Sequence, residues 1–152
     1  MNKSELEQTF YYKNNELYRV KDDKLAGNVN SRGYRRVYFK NKYRAVHRIV
    51  FLLHHGYLPK YIDHIDGNPL NNNINNLRPA TISTNGMNRK INKNNKLNVK
   101  NVCWDKHKSA WKVQVKANKK LVYSKDFKDF ELAELVAYEA RDKFHKDFAR
   151  NA

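Results

Sequence analysis

From residue 10 to residue 40, apolar and aromatic positions alternate with charged ones, the period-2 pattern of half-buried strands. FYYKNNELYRV places a turn at Asn14-Asn15 between residues of strand type, and NVNSRGYRRVYF repeats the layout around Ser31-Arg32-Gly33. Tyr and Val alternate with Lys and Arg here, so one face can pack while the other stays cationic. The period then changes. In KYRAVHRIVFLLHHG, Val46, Ile49, Val50 and Leu53 recur at helical spacing, Gly56 follows as a C-terminal cap, and Pro59 comes shortly after. The spacing predicts a buried amphipathic helix over 43–55.

Between Asn85 and Lys100 no apolar period survives. Arg89, Lys90, Lys93, Lys96 and Lys100 have no acidic residue in that window, which predicts a solvated basic linker over 92–98. A second unit follows over 99–152, after a first unit over 1–91. VCWDKHKSAWKVQVKANKKLVYSKDF reads as three strands, with Trp104, Trp111, Val113 and Val115 as the stiff apolar positions. FELAELVAYEARDKFHKDF puts Ala133, Val136, Ala137, Ala140, Phe144 and Phe148 on one helical stripe, with Asp129 as N-cap. The expected fold class is α+β: a β-rich N-terminal unit, then a three-stranded antiparallel sheet covered by one helix.

Charge adds a partner to this picture. Lys and Arg number 31 against 15 Asp and Glu, a formal net charge of +16, which favours a polyanion. The longest apolar run, Ile49 to Leu53, is far short of a membrane span, so double-stranded DNA is the expected partner and a membrane is not. MNKSELEQTF has no apolar core of a secretory signal. The single cysteine, Cys103, excludes an internal disulfide and any Cys₄ or Cys₂His₂ structural zinc site, and a reducing cytoplasm is the expected compartment.

The chemistry concentrates in YIDHIDGNPLNNNINNLRPATISTNGMNRK, residues 61–90. Cleavage of a phosphodiester needs a base for water, a divalent cation to neutralise developing charge, and a scaffold that keeps both in line. His64 suits the base, because its ordinary pKa lies near working pH. Asp63 offers a hard oxygen suited to Mg²⁺, and an Asn carbonyl oxygen can complete such a shell, with Mn²⁺ as the alternative ion. Neighbouring strand residues point to opposite faces, so the strand has to end, twist or bulge at Asp63-His64. Thr81 can cap a helix from 82 to about 91 that places Asn85 and Asn88 on one face. The bland alternative is a polar loop, since Asn is abundant throughout the chain.

DHIDGNPLNNN, NNLR, AT and the following Asn stand in the order and at the intervals of the HNH endonucleases, and the stretch resembles the phage and intron branch without structural zinc. The upstream VHRIVFLLHHG also looks like that branch. The resemblance implies a ββα metal finger over 61–91, a homing-type DNA endonuclease, and a bacterial host cell as its setting. It makes Asp63 and Asn85 metal ligands, His64 the general base and Asn76 the brace of the His64 strand. His47 and Asn88 would support the site from behind. His54 and His55 read as the end of the first helix, and His107 and His145 as surface residues.

Residues 100–151 resemble the apetala-two, or ethylene-response-factor, DNA-binding domain. The resemblance rests on Val102-Cys103-Trp104, Trp111 to Val115, Phe127, the helix around Ala137-Tyr138-Ala140 and the closing Asp147 to Asn151. Asn101 and Lys125 stand where that family has Gly. The expected DNA contacts are Arg32, Arg35, Arg36, Arg78, Arg89 and Lys90 toward the N-terminal side, and Trp104, Lys106, Lys108, Lys112, Gln114 and Lys116 in the second sheet. One of Trp104 and Trp111 should be core and the other exposed. A monomer with one active site would nick, and a dimer is the alternative that would cut both strands. The competing functions are a non-catalytic DNA-binding regulator and an RNA-binding protein.

Overall fold

The computed structural model describes residues 2–150, so the expected end of the second motif at Asn151 lies outside the described residues. The chain forms two compact units, Met1–Thr81 and Ile82–Ala152. The division between them falls at Thr81/Ile82.

In the first unit a short helix, α1 (Lys3–Glu7), is capped by Asn2, whose side chain accepts the Ser4 N–H. Strands β1 (Phe10–Lys13) and β2 (Glu16–Arg19) then pair antiparallel. Asn14 and Asn15 both take positive φ, 52° and 63°, the geometry of a two-residue hairpin turn whose twist matches the strands. Strands β3 (Asn28–Val29), β4 (Arg35–Phe39) and β5 (Lys42–Ala45) form a three-stranded antiparallel sheet in sequence order. Lys40 and Asn41 repeat the positive-φ turn, at 49° and 59°. That turn sends 42–45 back along β4, so the helix expected from residue 43 begins at Val46: α2 spans Val46–His55. Gly56 closes it in left-handed geometry, with its N–H on the Leu52 carbonyl.

Helix α2 supplies much of the core. Val46, Ile49, Val50, Phe51 and Leu52 are buried with Leu6, Phe10, Leu17 and Val37. Leu53 lies partly buried at the margin. Arg48 extends from α2 to the carbonyls of Pro59 and Lys60, at 3.2 and 3.1 Å, which fixes the entry to strand β6 (Tyr61–His64). Strand β6 pairs antiparallel with β7 (Leu77–Ala80).

The second unit opens with helix α3 (Ile82–Met87), shorter than expected. The Ser83 hydroxyl accepts the Asn118 N–H at 3.0 Å, tying α3 to the sheet that follows. The basic segment after α3 is built of turns instead of extended chain. Asn95 holds it together: its Oδ1 accepts the Leu97 N–H, and its Nδ2 donates to the Val99 carbonyl at 2.7 Å. Strands β8 (Val102–Asp105), β9 (Ala110–Ala117) and β10 (Lys120–Phe127) form an antiparallel sheet with β9 central. Helix α4 (Phe130–His145) packs on the face that carries Val113 and Val115, and the Asp129 carboxylate caps it through the Leu132 N–H at 2.7 Å. Ala133, Ala137 and Ala140 are buried as the stripe predicts. The stripe then continues through Arg141 and His145, so His145 is a buried residue and not a surface one, while Phe144 and Phe148 are half-buried. No helix of the described residues is long and apolar enough to cross a membrane.

Candidate active site

Burial alternates along β6. Ile62 and His64 face inward, and Asp63 faces the opposite side of the ladder. Asp63 meets its cross-strand partner Arg78 there, with Nη2 and Nε at 2.8 and 3.0 Å from one carboxylate oxygen. The strand is regular through Asp63 and His64, which therefore stay on opposite faces, and it ends only after His64, where the Gly67 N–H turns back to the His64 carbonyl at 2.8 Å.

The Asn-rich stretch after it is not a plain solvated loop. Asp66, Asn68, Asn71 and Asn73 each accept a backbone N–H two residues ahead, at 2.8 to 3.3 Å. This is the local turn that short amide and carboxylate side chains favour, repeated along the segment. Asn76 closes it. Its Oδ1 accepts the Asp66 N–H, its Nδ2 donates to the Asp66 carboxylate and the Asn71 carbonyl, and its own carbonyl accepts the Ile65 N–H. Asn76 therefore braces the segment directly after His64 through Ile65 and Asp66. Burial opposes ionisation of Asp66, but bonds from the Asn68 N–H and the Asn71 and Asn76 amides outweigh it and hold its pKa below the usual carboxylate range.

His64 is 6% exposed. Its Nε2 lies 3.3 Å from Oδ1 of Asn72, a buried residue absent from the sequence-derived site. The Asn72 Nδ2 donates to the Leu70 carbonyl at 3.2 Å. With that end committed as donor, Oδ1 accepts, Nε2 carries the proton, and Nδ1 is the basic nitrogen. Burial pushes the His64 pKa down, while Asn72, Asp66 and Asp63 act in the opposite direction. The His47 ring lies edge-on to His64 with centroids 5.0 Å apart, and Tyr34 borders both rings. Burial, His64 and Arg48 bring the His47 pKa down to about 3, so His47 is a neutral neighbour.

The remaining residues separate by environment. Arg35 donates to the Gly27 carbonyl at 3.2 Å and lies 3.9 Å from Glu16. Arg36 lies over the Tyr43 ring, and Arg32 sits in the Asn30–Gly33 turn. In the second unit, Asn85 and Asn88 lie on or directly after α3. Asn88 is buried, and the Asn85 Oδ1 is buried with no hydrogen-bond partner. Arg89 and Lys90 follow and line a cleft with Gln114 and Lys116. Trp104 is 46% exposed but pairs across the ladder with Trp111. By register both point to the side of Val113 and Val115, whereas Lys112, Gln114 and Lys116 point to the other. Lys108 and Lys112 each hold a carboxylate, Asp126 and Asp105, at 2.6 Å, and Lys106 lies in the turn between β8 and β9. Among the described residues, no three His, Cys, Asp or Glu side chains gather as a metal cluster.

A neutral buried imidazole ends one strand of an antiparallel pair, and a helix follows that pair in sequence. Residues 44–87 match the HNH endonuclease family model, so the chain carries an HNH endonuclease domain. Over 118 residues it is 38% identical to Protein 3.8 of Escherichia phage T7, covering 74% of this chain and 95% of that protein, and it belongs to the family of that phage protein. No solved structure matches the chain.

Proposed function

We propose that this protein is a metal-dependent DNA endonuclease of the homing type in which His64 activates the attacking water. Nδ1 of His64 takes one proton from water, the hydroxide oxygen bonds to phosphorus, and the bond from phosphorus to the 3′ oxygen breaks. Asn72 fixes the tautomer that leaves Nδ1 basic, and Asn76 fixes the chain just beyond it. Burial lowers the His64 pKa, which keeps the base ready at neutral pH.

Taken singly, two side chains offer the hard oxygens that a divalent cation takes. Asp63 supplies a carboxylate, and Asn85 supplies a buried oxygen that no protein donor uses. The resemblance to the HNH endonucleases makes Asp63 and Asn85 the ligands of Mg²⁺, or Mn²⁺ in its place, which would neutralise charge on the phosphate and the leaving oxygen. The second unit is read as the apetala-two-like DNA anchor, supported by its β8-β9-β10 sheet, its covering helix and the polar open face that carries Lys112, Gln114 and Lys116.

The observation that carries this reading is the buried His64 held through Nε2 by Asn72. Incubation of supercoiled plasmid with the protein and Mg²⁺ tests it. Nicked circles should appear first, chelator should stop them, and His64→Ala should abolish them. The competing reading, a non-catalytic DNA-binding regulator, is favoured by the Arg78 guanidinium on Asp63, which already engages the carboxylate. Tight duplex binding with no cleavage under either metal would select that reading.

A further inference from the structure

A cleft of about 630 Å³ opens in the second unit between α3, the turns after it, β9 and the end of α4. Its lining contains Arg89, Lys90, Lys100, Lys116, Lys119 and Arg141, and no Asp or Glu. Arg141 is 1% exposed. Its Nη1 donates to the Lys100 carbonyl at 2.6 Å, the Lys100 ammonium donates to the Arg150 carbonyl, and His145 Nε2 donates to the Lys116 carbonyl at 3.0 Å. Bonds from Arg141, Lys100 and His145 to main-chain oxygens thus fix the chain segments around one space. The buried His145 Nδ1 has no hydrogen-bond partner.

Cations gathered this way repel one another. Burial, then Arg141 and Arg150, bring the Lys100 pKa down to about 8. Asp142 and Glu134 act on Arg141 from its own helix but lie outside the lining. Arg89, Lys90, Lys116 and Lys119 present their charges to solvent around the buried Arg141, so a polyanion brought there meets several cations at once and releases its counterions. The lining carries more cationic donors than a single phosphate can use, which matches successive phosphates of a chain.

We propose that this cleft is a phosphate-binding groove that holds the backbone of a DNA strand, with the buried Arg141 and the half-buried Lys100 at its floor. The proposal rests on the reading that the protein acts on DNA. It adds a positioning site built from Lys100, Lys119, Arg141 and His145 to the contacts expected of Arg89, Lys90 and Lys116. Bonds to phosphate set register and affinity and carry no base sequence.

The test uses the full chain, labelled duplex DNA and chelator, so that binding is read without cleavage. Lys100→Gln and Lys119→Gln should each weaken binding several-fold at low salt. Removing one cation from a phosphate should flatten the slope of log affinity against log salt by about 0.9. Lys143→Gln, outside the lining, should leave affinity and slope unchanged, and thermal melts of all variants should stay cooperative. Unchanged slopes in folded Lys100→Gln and Lys119→Gln would overturn the proposal. So would calorimetric binding of inorganic phosphate that both variants lose while keeping DNA affinity, since the cleft would then be a small-anion site. If the wild type binds DNA with the expected slope differences but does not nick, the groove stands and the nuclease reading fails. If the wild type does not bind DNA in chelator, the groove proposal fails.

Discussion

Oδ1 of Asn72 lies 3.3 Å from Nε2 of His64, and the other end of the same amide is committed to the Leu70 carbonyl. One buried amide therefore sets which nitrogen of the imidazole is basic. Asn72→Ala should lower the cleavage rate about 10- to 100-fold, the range seen when a partner that orients an imidazole is removed. DNA affinity should hold. Single-turnover rates beside anisotropy binding check this, and a loss of affinity equal to the loss of rate would contradict the assigned role.

His64→Ala should cost roughly 10²–10⁴-fold in rate with little change in binding. The pH profile carries more information. A base works unprotonated, and burial lowers the His64 pKa, so the rate should rise with pH and level off below the ordinary histidine value of about 6.5. Asn72 raises that pKa, so Asn72→Ala should move the midpoint to still lower pH. A midpoint well above the ordinary value would remove His64 as the titrating base.

Asp63→Ala and Asn85→Ala should both raise the Mg²⁺ concentration needed for half-maximal activity. The carboxylate should matter more, because it contributes charge as well as an oxygen. A metal titration that shifts for neither variant excludes both as ligands. Arg78→Ala separates the roles of Asp63: if the guanidinium only orders the carboxylate, the metal requirement shifts modestly and in the same direction.

Gly27 has φ of 84°, and a Cβ placed there would lie 2.3 Å from the Arg36 carbonyl oxygen. That neighbour is backbone of the adjacent β4 and cannot swing aside. Gly27→Ala should destabilise the first unit by about 2 kcal/mol or more. The expected Tm loss is on the order of 10 °C. Differential scanning calorimetry reads it directly, and an unchanged Tm would mean that β3 moves freely from β4.

His47 gives the first unit a pH dependence. Its folded pKa is about 3 and its unfolded value about 6.5, so between these values the unfolded chain binds more protons. The contribution is complete above about pH 6.5 and is lost as pH falls toward 3, at up to about 1.4 kcal/mol per pH unit. His145, depressed mainly by burial, acts with the same sign in the second unit. Denaturant melts at stepped pH should show His47→Phe flattening this fall.

Much of the layout was legible in the sequence, because it depends on local signals. The Asn14-Asn15 hairpin, the Gly56 stop and the Asp129 cap each rest on a residue whose chemistry suits one backbone state. Strand β5 was missed because Lys40-Asn41 is a less familiar positive-φ pair, and Lys42 to Ala45 runs straight into a helical period. His145 looked like a surface residue because periodicity counts only apolar side chains, and Arg141 carried no core signal for the same reason. Asn72 was hidden for another reason: in NNNINN every amide has the same sequence signal. Only the fold of the loop shows which of them is buried against the imidazole and which closes turns. The face of Trp104 likewise required the β8-β9 register.

The loop that positions His64 is joined by neutral amides, with Asp66 as its single formal charge among residues 65–76. Dissolved ions screen bonds between amides far less than contacts between exposed lysines and phosphates. Strong brine should therefore strip the protein from DNA while leaving its catalytic scaffold assembled. Dilution should restore full activity at once, with no refolding lag, which makes ionic strength a clean stopwatch for the reaction.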